Sequence, residues 1–411
     1  MTRVVVTGVG LVTSLGTGTE ATWSGLVEGR SGIGPIEAYD AATLCATQAG
    51  EVRDLEPESF AKRKSLRSMT RNDVLALAGA TLAIRDAGIE DVGDGERVGL
   101  FVGSSKEISN PMHILEASLV ARNEDGSVDI QRLGAEASSA FYPLFYVEGL
   151  QAAALFYVSQ AHGLKGANAY FAGTAEAGAE AIGRAYRAVK RGECDWAVAG
   201  GYDDGSSWWN MTKFEALGVV SPADCRPYDT ARDGSVLGEG AAFLIVESEA
   251  SAATRGARIL CEIAGFGGAY DTHALITLNP EGRAPRLAME KALREAGIDA
   301  VDAVIGHGSA TKIGDVSEAR AIKAALNGTA VTSVKGSTGH LVGAAGALNA
   351  AVAALTVAHG VIPPTLGCED VDPEIEVDVV TGSSREGAVG AALALARGFE
   401  GQNVALIFRR S

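Results

Sequence analysis

Short β-branched runs alternate along the chain with longer stretches whose apolar positions recur every three or four residues. Arg3–Gly8, Val98–Val102, Ala169–Ala172, Trp196–Gly200, Ala241–Val246, Ile259–Phe266, Ala303–Ile305, Val331–Val334, Ala391–Ala396 and Val404–Phe408 read as strands. Helical spacing covers Thr19–Glu28, Asn72–Ala87, Glu176–Lys190, Pro285–Ala296 and Val316–Leu326, and Phe141–Ala161 reads as mostly helical. This order predicts an α/β architecture with sheets buried on both faces. Strand–loop–helix order is present on both sides of about residue 250, with no Pro- or Ser-rich linker between. Two halves, 1–250 and 251–411, are therefore expected to pack as one body, with a less regular inserted interface segment at about 107–160.

Leu341–Ile362 is uncharged over about 22 residues, long enough to span a bilayer. It is dominated by Ala and Gly, carries Asn349 and His359, and ends at Pro363-Pro364, so a buried core helix is the better reading. Gly8-Val9-Gly10 follows the first strand but lacks the third glycine of a dinucleotide fingerprint, which would fall at Thr13; a tight turn is expected instead.

Composition narrows the class. The chain has 411 residues, 35 Lys plus Arg against 51 Asp plus Glu, and a net charge of −16. Such a chain repels phosphate backbones, so nucleic acid is not the expected partner. Five cysteines, none in a CxxC pair, suit a reduced, cytoplasmic protein. Histidine and cysteine show no metal-ligand spacing, and neither a metal nor a membrane partner is expected.

The second half carries two glycine-rich segments with histidine. His307-Gly308-Ser309-Ala310-Thr311 ends a strand, and Lys335-Gly336-Ser337-Thr338-Gly339-His340 precedes the long apolar helix. Small flanking residues allow a ligand to approach closely. Two imidazoles and a lysine near a helix N-terminus can stabilise an oxyanion or enolate.

With these residues in view, the chain resembles the β-ketoacyl synthases of the thiolase superfamily over nearly its whole length. Arg226-Pro227-Tyr228-Asp229, Arg232-Asp233-Gly234 and Leu237-Gly238-Glu239-Gly240 are similar to a specific family signature. His307–Thr311 is similar to its HGTxT, Lys335…His340 with Gly343-Ala344-Ala345-Gly346 to its KxxxGH…GAAG, and Gly398-Phe399-Glu400-Gly401-Gln402-Asn403 to an altered GFGGTN. The resemblance implies a thiolase-like fold, two fused α/β halves in a five-layer αβαβα arrangement. It also implies substrates carried on the phosphopantetheine of an acyl carrier protein, with no other cofactor.

One departure bears on function. The family's condensing enzymes carry a cysteine at a helix N-terminus, where dipole and imidazole lower its pKa and its thiolate takes the acyl chain. Counting back from Gly178 and from Ala199-Gly200-Gly201 places that position at Ala175. A methyl group cannot be acylated, so the chain is not expected to condense alone. Thr174, Glu176 and Ala177 also depart from the usual Ser-rich flank, which favours natural divergence over an engineered Cys→Ala change. Two roles resemble a synthase without its nucleophile. One is the chain length factor of type II polyketide synthases, which pairs with a Cys-containing ketosynthase and shapes the acyl tunnel. The other is a malonyl-carrier-protein decarboxylase that supplies the acetyl primer. Chain length factor is the preferred reading, with His307, His340 and Lys335 retained at family positions. By the same resemblance Phe399 gates the pocket, and Met112, Leu115, Phe141 and Phe145 are candidates for setting tunnel depth. Arg63, Lys64 and Arg67, within a basic cluster that runs from Lys62 to Arg71, would receive the acidic carrier protein.

Overall fold

The computed structural model describes residues 2–105, 111–141, 143–148, 150, 152–274, 278–326 and 328–411. Residues 107–110 of the expected insert lie outside them. The principal strands of the first half are β1 (Val4–Thr13), β2 (Val98–Ser105), β3 (Asn168–Gly173), β4 (Trp196–Asp204) and β5 (Glu239–Ser248), and those of the second number five as well. They are β6 (Cys261–Tyr270), β7 (Ala303–Ile305), β8 (Ala330–Thr332), β9 (Ala391–Arg397) and β10 (Gln402–Arg409). The principal helices are α1 (Arg71–Asp86), α2 (Met112–Val120), α3 (Ile130–Ala140), α4 (Ala153–His162), α5 (Ala177–Lys190), α6 (Arg283–Ala296), α7 (Lys312–Ala325) and α8 (Ala345–His359).

Hydrogen bonding orders the first set β3-β2-β4-β5-β1 and the second β8-β7-β9-β10-β6. The two orders are the same once each half is numbered from its own first strand. In both, the three strands at one end run parallel and the remaining two pair antiparallel. The halves meet where β1 pairs antiparallel with β6, at Val5–Glu262 and Val6–Cys261.

Five layers follow from what covers each face. α1 packs on the outer face of the first half through Val74, Leu75, Leu77 and Ala78, against Phe243 and Ile245 of β5. α6 and α7 cover the outer face of the second through Met289, Ala292, Ala319 and Ile322. Between the halves lie α5 and α8, whose contacts are Ala179, Ile182, Ala185, Ala347, Ala351 and Ala354 against strands of both. The central strand β1 therefore has helices on both faces, which is why it is buried along its full length and shows no polar alternation.

The long apolar segment is this buried helix. Val342–His359 has the length and composition to cross a membrane, yet 89% of it is buried inside the fold. Its helical part starts later than the sequence pattern suggests: a 3-10 turn covers Val342–Ala344, α8 runs Ala345–His359, and Gly360 ends it in the left-handed conformation.

One other expectation is corrected. Gly8 and Gly10 do not form a turn; they lie inside β1, because α1 crosses it so closely that a Cβ on Gly10 would sit 2.1 Å from the Gly79 carbonyl oxygen. Phe141–Ala161 is mostly helical, as expected, in two pieces among the described residues: a short helix at Phe145–Glu148 followed by α4. α1 starts sharply because Thr70 and Asp73 form a capping box: Thr70 Oγ1 accepts from Asp73 N, and Asp73 Oδ2 accepts from Thr70 N at 2.9 Å.

Glycine also sets the depth at which α5 enters. A Cβ on Gly103 of β2 would lie 2.2 Å from the Ala177 backbone. Gly103→Ala should therefore lower stability by ~3 kcal/mol, read from the urea midpoint, because backbone and not a flexible side chain must move.

Candidate active site

The strands that end at one edge of the two halves bring the expected residues together. Thr174 and Ala175 follow β3, His307 follows β7, and Arg397 closes β9. With His340 and Phe399 they line one cavity of about 380 Å³. Placement at strand C-termini suits chemistry, since the loops there are free to converge without disturbing the sheet.

Ala175 sits where the two central helices touch. Its carbonyl accepts from Gly346 N at 2.8 Å, and α5 begins two residues later. A Cβ on Gly346 would lie 2.5 Å from that carbonyl oxygen, so glycine is what permits the contact. Glu176 does not share the cavity. Its carboxylate turns back onto Thr174 N at 3.1 Å and is pressed between Gly173 and Gly398, where any Cβ would lie 2.1 Å from an oxygen. Glu176 is thus not the residue that faces the imidazoles.

Thr174 latches the Gly398–Glu400 strap. Its Oγ1 accepts from Phe399 N at 3.0 Å and lies 3.1 Å from Glu176 Oε2 and 3.2 Å from Glu400 Oε2. A hydroxyl has one proton to give, so two ionised carboxylates cannot both be satisfied there. Burial pushes the Glu176 carboxyl up to about 7, and the Glu400 charge adds to the rise; the Thr174 donors oppose it.

The imidazoles meet edge to face, ring centroids 5.4 Å apart and planes at 80°. His340 Nδ1 accepts from Val342 N at 3.0 Å, which puts the ring proton on Nε2. Val342 adopts φ +41, a strained conformation for a β-branched residue. Its own amide bond to His340 and the adjacent bond from Gly343 N to Asp203 Oδ2, 2.8 Å, hold it there. These amides are therefore not free to bind an external anion, contrary to the expectation for a helix start after His340. His307 is fixed through its backbone: Gly308 N donates to Glu318 at 2.7 Å, and His307 N donates to the same carboxylate. Burial holds both imidazoles well below the ordinary value of 6.5, with the Lys335 charge acting in the same direction.

Lys335 stands behind the cavity. Its Nζ donates to the His307 carbonyl, and burial lowers its pKa to about 8 against the opposing Glu318 charge. The Arg226–Gly240 segment braces this arrangement from below. Tyr228 N donates to Asp315 at 2.8 Å, Tyr228 OH donates to Glu318 at 3.2 Å, and the buried Arg232 pairs with Asp372 at 2.7 Å.

Other expected residues lie elsewhere. Met112 and Leu115 of α2 are 43% and 45% exposed. Met112 lines a second cavity with Arg71, Trp208 and Glu239. Phe141 and Phe145 stack on each other with centroids 5.0 Å apart. None of these four lines the cavity at Ala175. Lys62, Arg63, Lys64 and Arg67 are exposed. Arg71 leaves the cluster: it pairs with Glu239 through Nε at 2.8 Å and Nη2 at 2.7 Å. Glu318 and Phe214 carried no motif. A carboxylate on the apolar face of the helix at Val316–Leu326 was the available signal for the first; nothing in the sequence marked the second, which packs on Phe399 at 5.8 Å.

Residues 1–252 match the beta-ketoacyl synthase N-terminal domain and residues 260–369 the beta-ketoacyl synthase C-terminal domain. The chain belongs to the beta-ketoacyl synthase family. It is 33% identical to the 3-oxoacyl-[acyl-carrier-protein] synthase 2 of Synechocystis sp. over 99% of this chain and 98% of that one. Against the same enzyme of Vibrio harveyi the identity is 32%, with the same coverage. Among solved structures it superposes on the ishigamide ketosynthase/chain length factor with a TM-score of 0.90 at 30% identity, covering 100% of this chain and 99% of that one. A beta-ketoacyl synthase from Burkholderia phymatum gives a TM-score of 0.89, 30% identity and full coverage of both.

All five cysteines of this beta-ketoacyl synthase family member have raised thiol pKa values. Burial pushes Cys194 and Cys225 up to about 11 and Cys368 up to about 12, and raises Cys261 further. Cys45 is exposed, and its pKa is raised as well, by partial burial and the Glu215 carboxylate. None is a low-pKa thiolate.

Glu176 makes stability depend on pH. Its folded pKa of about 7 exceeds the ordinary 4.5. The folded form therefore binds the proton more tightly, and stability present below pH 4.5 is lost as pH rises through 7. The difference corresponds to about 3 kcal/mol. Glu176→Gln should leave the urea midpoint nearly unchanged at pH 4 and raise stability by about 2–3 kcal/mol at pH 8.

Proposed function

We infer that this chain is the non-condensing subunit of a type II polyketide ketosynthase, a chain length factor that pairs with a Cys-containing ketosynthase in the cytoplasm. Substrates would arrive on the phosphopantetheine of an acyl carrier protein. The observation that carries the reading is Ala175, just before α5, in a cavity lined by His307 and His340 with Lys335 behind it. The likeness to the ishigamide ketosynthase/chain length factor supports it. The 3-oxoacyl synthase relatives support the carrier-bound chemistry, while the missing nucleophile sets this chain apart from condensation.

Two surface features favour a partner. Large exposed apolar side chains concentrate between residues 112 and 156, among them Leu119, Ile130, Leu144 and Phe156, with Ile130 at 76% exposure. Of these, Phe156 shares a cavity with Asn168 of β3, the outermost strand of its half, which pairs with β2 on one side and with no strand on the other among the described residues. An apolar patch next to an unpaired strand edge is the surface an obligate subunit buries. The basic cluster Lys62, Arg63, Lys64 and Arg67 makes no ion pair among the described residues and is the proposed site for the acidic carrier protein.

Co-expression with a Cys-containing ketosynthase should give a stable 1:1 complex by size-exclusion chromatography. The double variant Leu119→Asp, Ile130→Asp should weaken that complex at least tenfold. A homodimer that persists in the presence of the ketosynthase would remove the pairing role.

The retained His307 and His340 favour a second reading, decarboxylation of a malonyl carrier thioester. It predicts CO2 release by the chain alone that His307→Ala abolishes. The chain-length-factor reading predicts no release from the isolated chain, and no mass increase after incubation with an acyl carrier thioester.

A further inference from the structure

We propose that the cavity bounded by Asp204, Asn210 and Trp208 is a binding site for a primary alkylammonium ligand. This cavity holds about 600 Å³ and shares no lining residue with the one beside Ala175. Four carboxylates line it, Glu37, Glu51, Asp204 and Glu239, against two cations, Arg53 and Arg71. Both cations are already paired. Arg71 holds Glu239 through Nε and Nη2, and Arg53 lies 3.3 Å from Glu51 and 3.5 Å from Glu37. Glu51 also accepts from the amides of Glu37 and Ala38, at 3.0 and 3.1 Å. Asp204 is the exception. It closes β4, is half-buried, and has no ion-pair partner among the described residues. The register of β4 on β5 sets it directly opposite Glu239, whose pairing occupies the Arg71 fork. Like charges opposite one another on paired strands repel. Burial and the charges of Glu239 and Asp203 push the Asp204 carboxyl up to about 7; Arg71, from beyond ion-pair distance, and the Ser207 amide oppose the rise.

Unpartnered acceptors point the same way. Asn210 lines the cavity and is 2% exposed. Its Nδ2 donates to the Asp204 carbonyl at 2.8 Å, which fixes the orientation of the amide, and its Oδ1 is buried without a partner. Asn72 of α1 also lines the cavity with an unpartnered Oδ1. A buried acceptor without a donor is costly, and a bound donor removes that cost. The cavity thus lacks one cation against Asp204 and donors for two amide oxygens. An ammonium supplies one charge and three N–H groups; a neutral hydroxyl supplies no charge, and an anion adds to the repulsion. No group of three or more His, Cys, Asp or Glu that could hold a metal ion occurs among the described residues, which favours an organic cation. Tyr39, Trp208 and Trp209 give the cavity aromatic surface for its carbon chain. Lys213 Nζ already lies 5.7 Å from the Trp209 ring centroid, a cation–π contact of the kind an ammonium ligand makes. Tyr39 OH donates to the Ser206 carbonyl at 3.0 Å, and burial, with the Asp204 and Glu51 charges, raises its pKa, so the phenol does not titrate near neutrality. The site does not rest on the pairing role.

Hexylammonium, hexanol and hexanoate are the probes, each titrated into the full chain at pH 8 by calorimetry and tryptophan fluorescence. Hexylammonium should bind 1:1 and change the fluorescence, hexanol and hexanoate should bind at least tenfold more weakly, and Asp204→Asn should weaken hexylammonium at least tenfold. The affinity of the parent for hexylammonium should rise several-fold from pH 6 to pH 8, because the probe stays charged while Asp204 ionises. Hexanol or hexanoate binding as tightly as hexylammonium, an affinity that does not change between pH 6 and pH 8, or an Asp204→Asn variant that keeps its affinity would overturn the proposal. If that variant does not fold, a crystal of the parent with hexylammonium decides: the nitrogen within hydrogen-bond distance of Asp204 supports the site, and a nitrogen placed elsewhere, or no bound hexylammonium, rejects it.

Discussion

The structure depends on how close two helices can come to one another between two sheets. α5 and α8 share a single layer, and that layer must pack against β-strands on both sides. Large side chains would force the sheets apart, so the contacts fall on Ala179, Ala185, Ala347, Ala351 and Ala354, with glycine at Gly178 and Gly346. The gain from burying each alanine is small, and the layer is stable because so many are packed at interior density. The same closeness puts the start of α5 against the start of α8, and Ala175 lies at that contact. The position of the site is thus a product of core packing rather than of any residue that performs chemistry.

The fold does not depend on what side chain position 175 carries. The contact made at position 175 runs through the backbone, from Gly346 N to the Ala175 carbonyl, and any side chain of similar size leaves it intact. The brace below the histidines is independent of it: Tyr228, Arg232, Asp315 and Glu318 pair with one another and with backbone amides. The network is tied mainly through backbone amides, since Arg232 Nε and Asp315 Oδ1 are buried without a hydrogen-bond partner among the described residues. Its persistence around His307 accounts for a cavity that stays assembled.

Much of the fold was legible in the sequence, because buried strands and central helices impose uninterrupted apolar runs. β2, β4 and β5, with α5 and α6, fall within a few residues of their expected bounds. Misreadings arose where tertiary contact overrides local pattern. Gly8 and Gly10 look like turn residues, yet they serve the crossing of α1 over β1, a contact between residues more than sixty positions apart. The 3-10 turn at Val342–Ala344 delays α8 because Val342 is held in a left-handed conformation by bonds to His340 and Asp203. The site was legible where family motifs mark it, at Ala175, His307, His340 and Phe399. Arg397 was visible only as an odd charge before a glycine; that it stands buried, with Nε unpartnered, is a matter of three-dimensional enclosure.

The repeated strand order has a further consequence. Ala175 comes from the first half, while His307, His340 and Arg397 come from the second, so the two repeats supply different parts of one cavity. Each half builds a complete layered core on its own outer side, but neither encloses the cavity alone. A change in one repeat can therefore retire a chemical role while the other repeat keeps its share of the wall and the shared helical layer keeps both in register. The strand order is thus specified twice along the chain, while the cavity wall is specified only once.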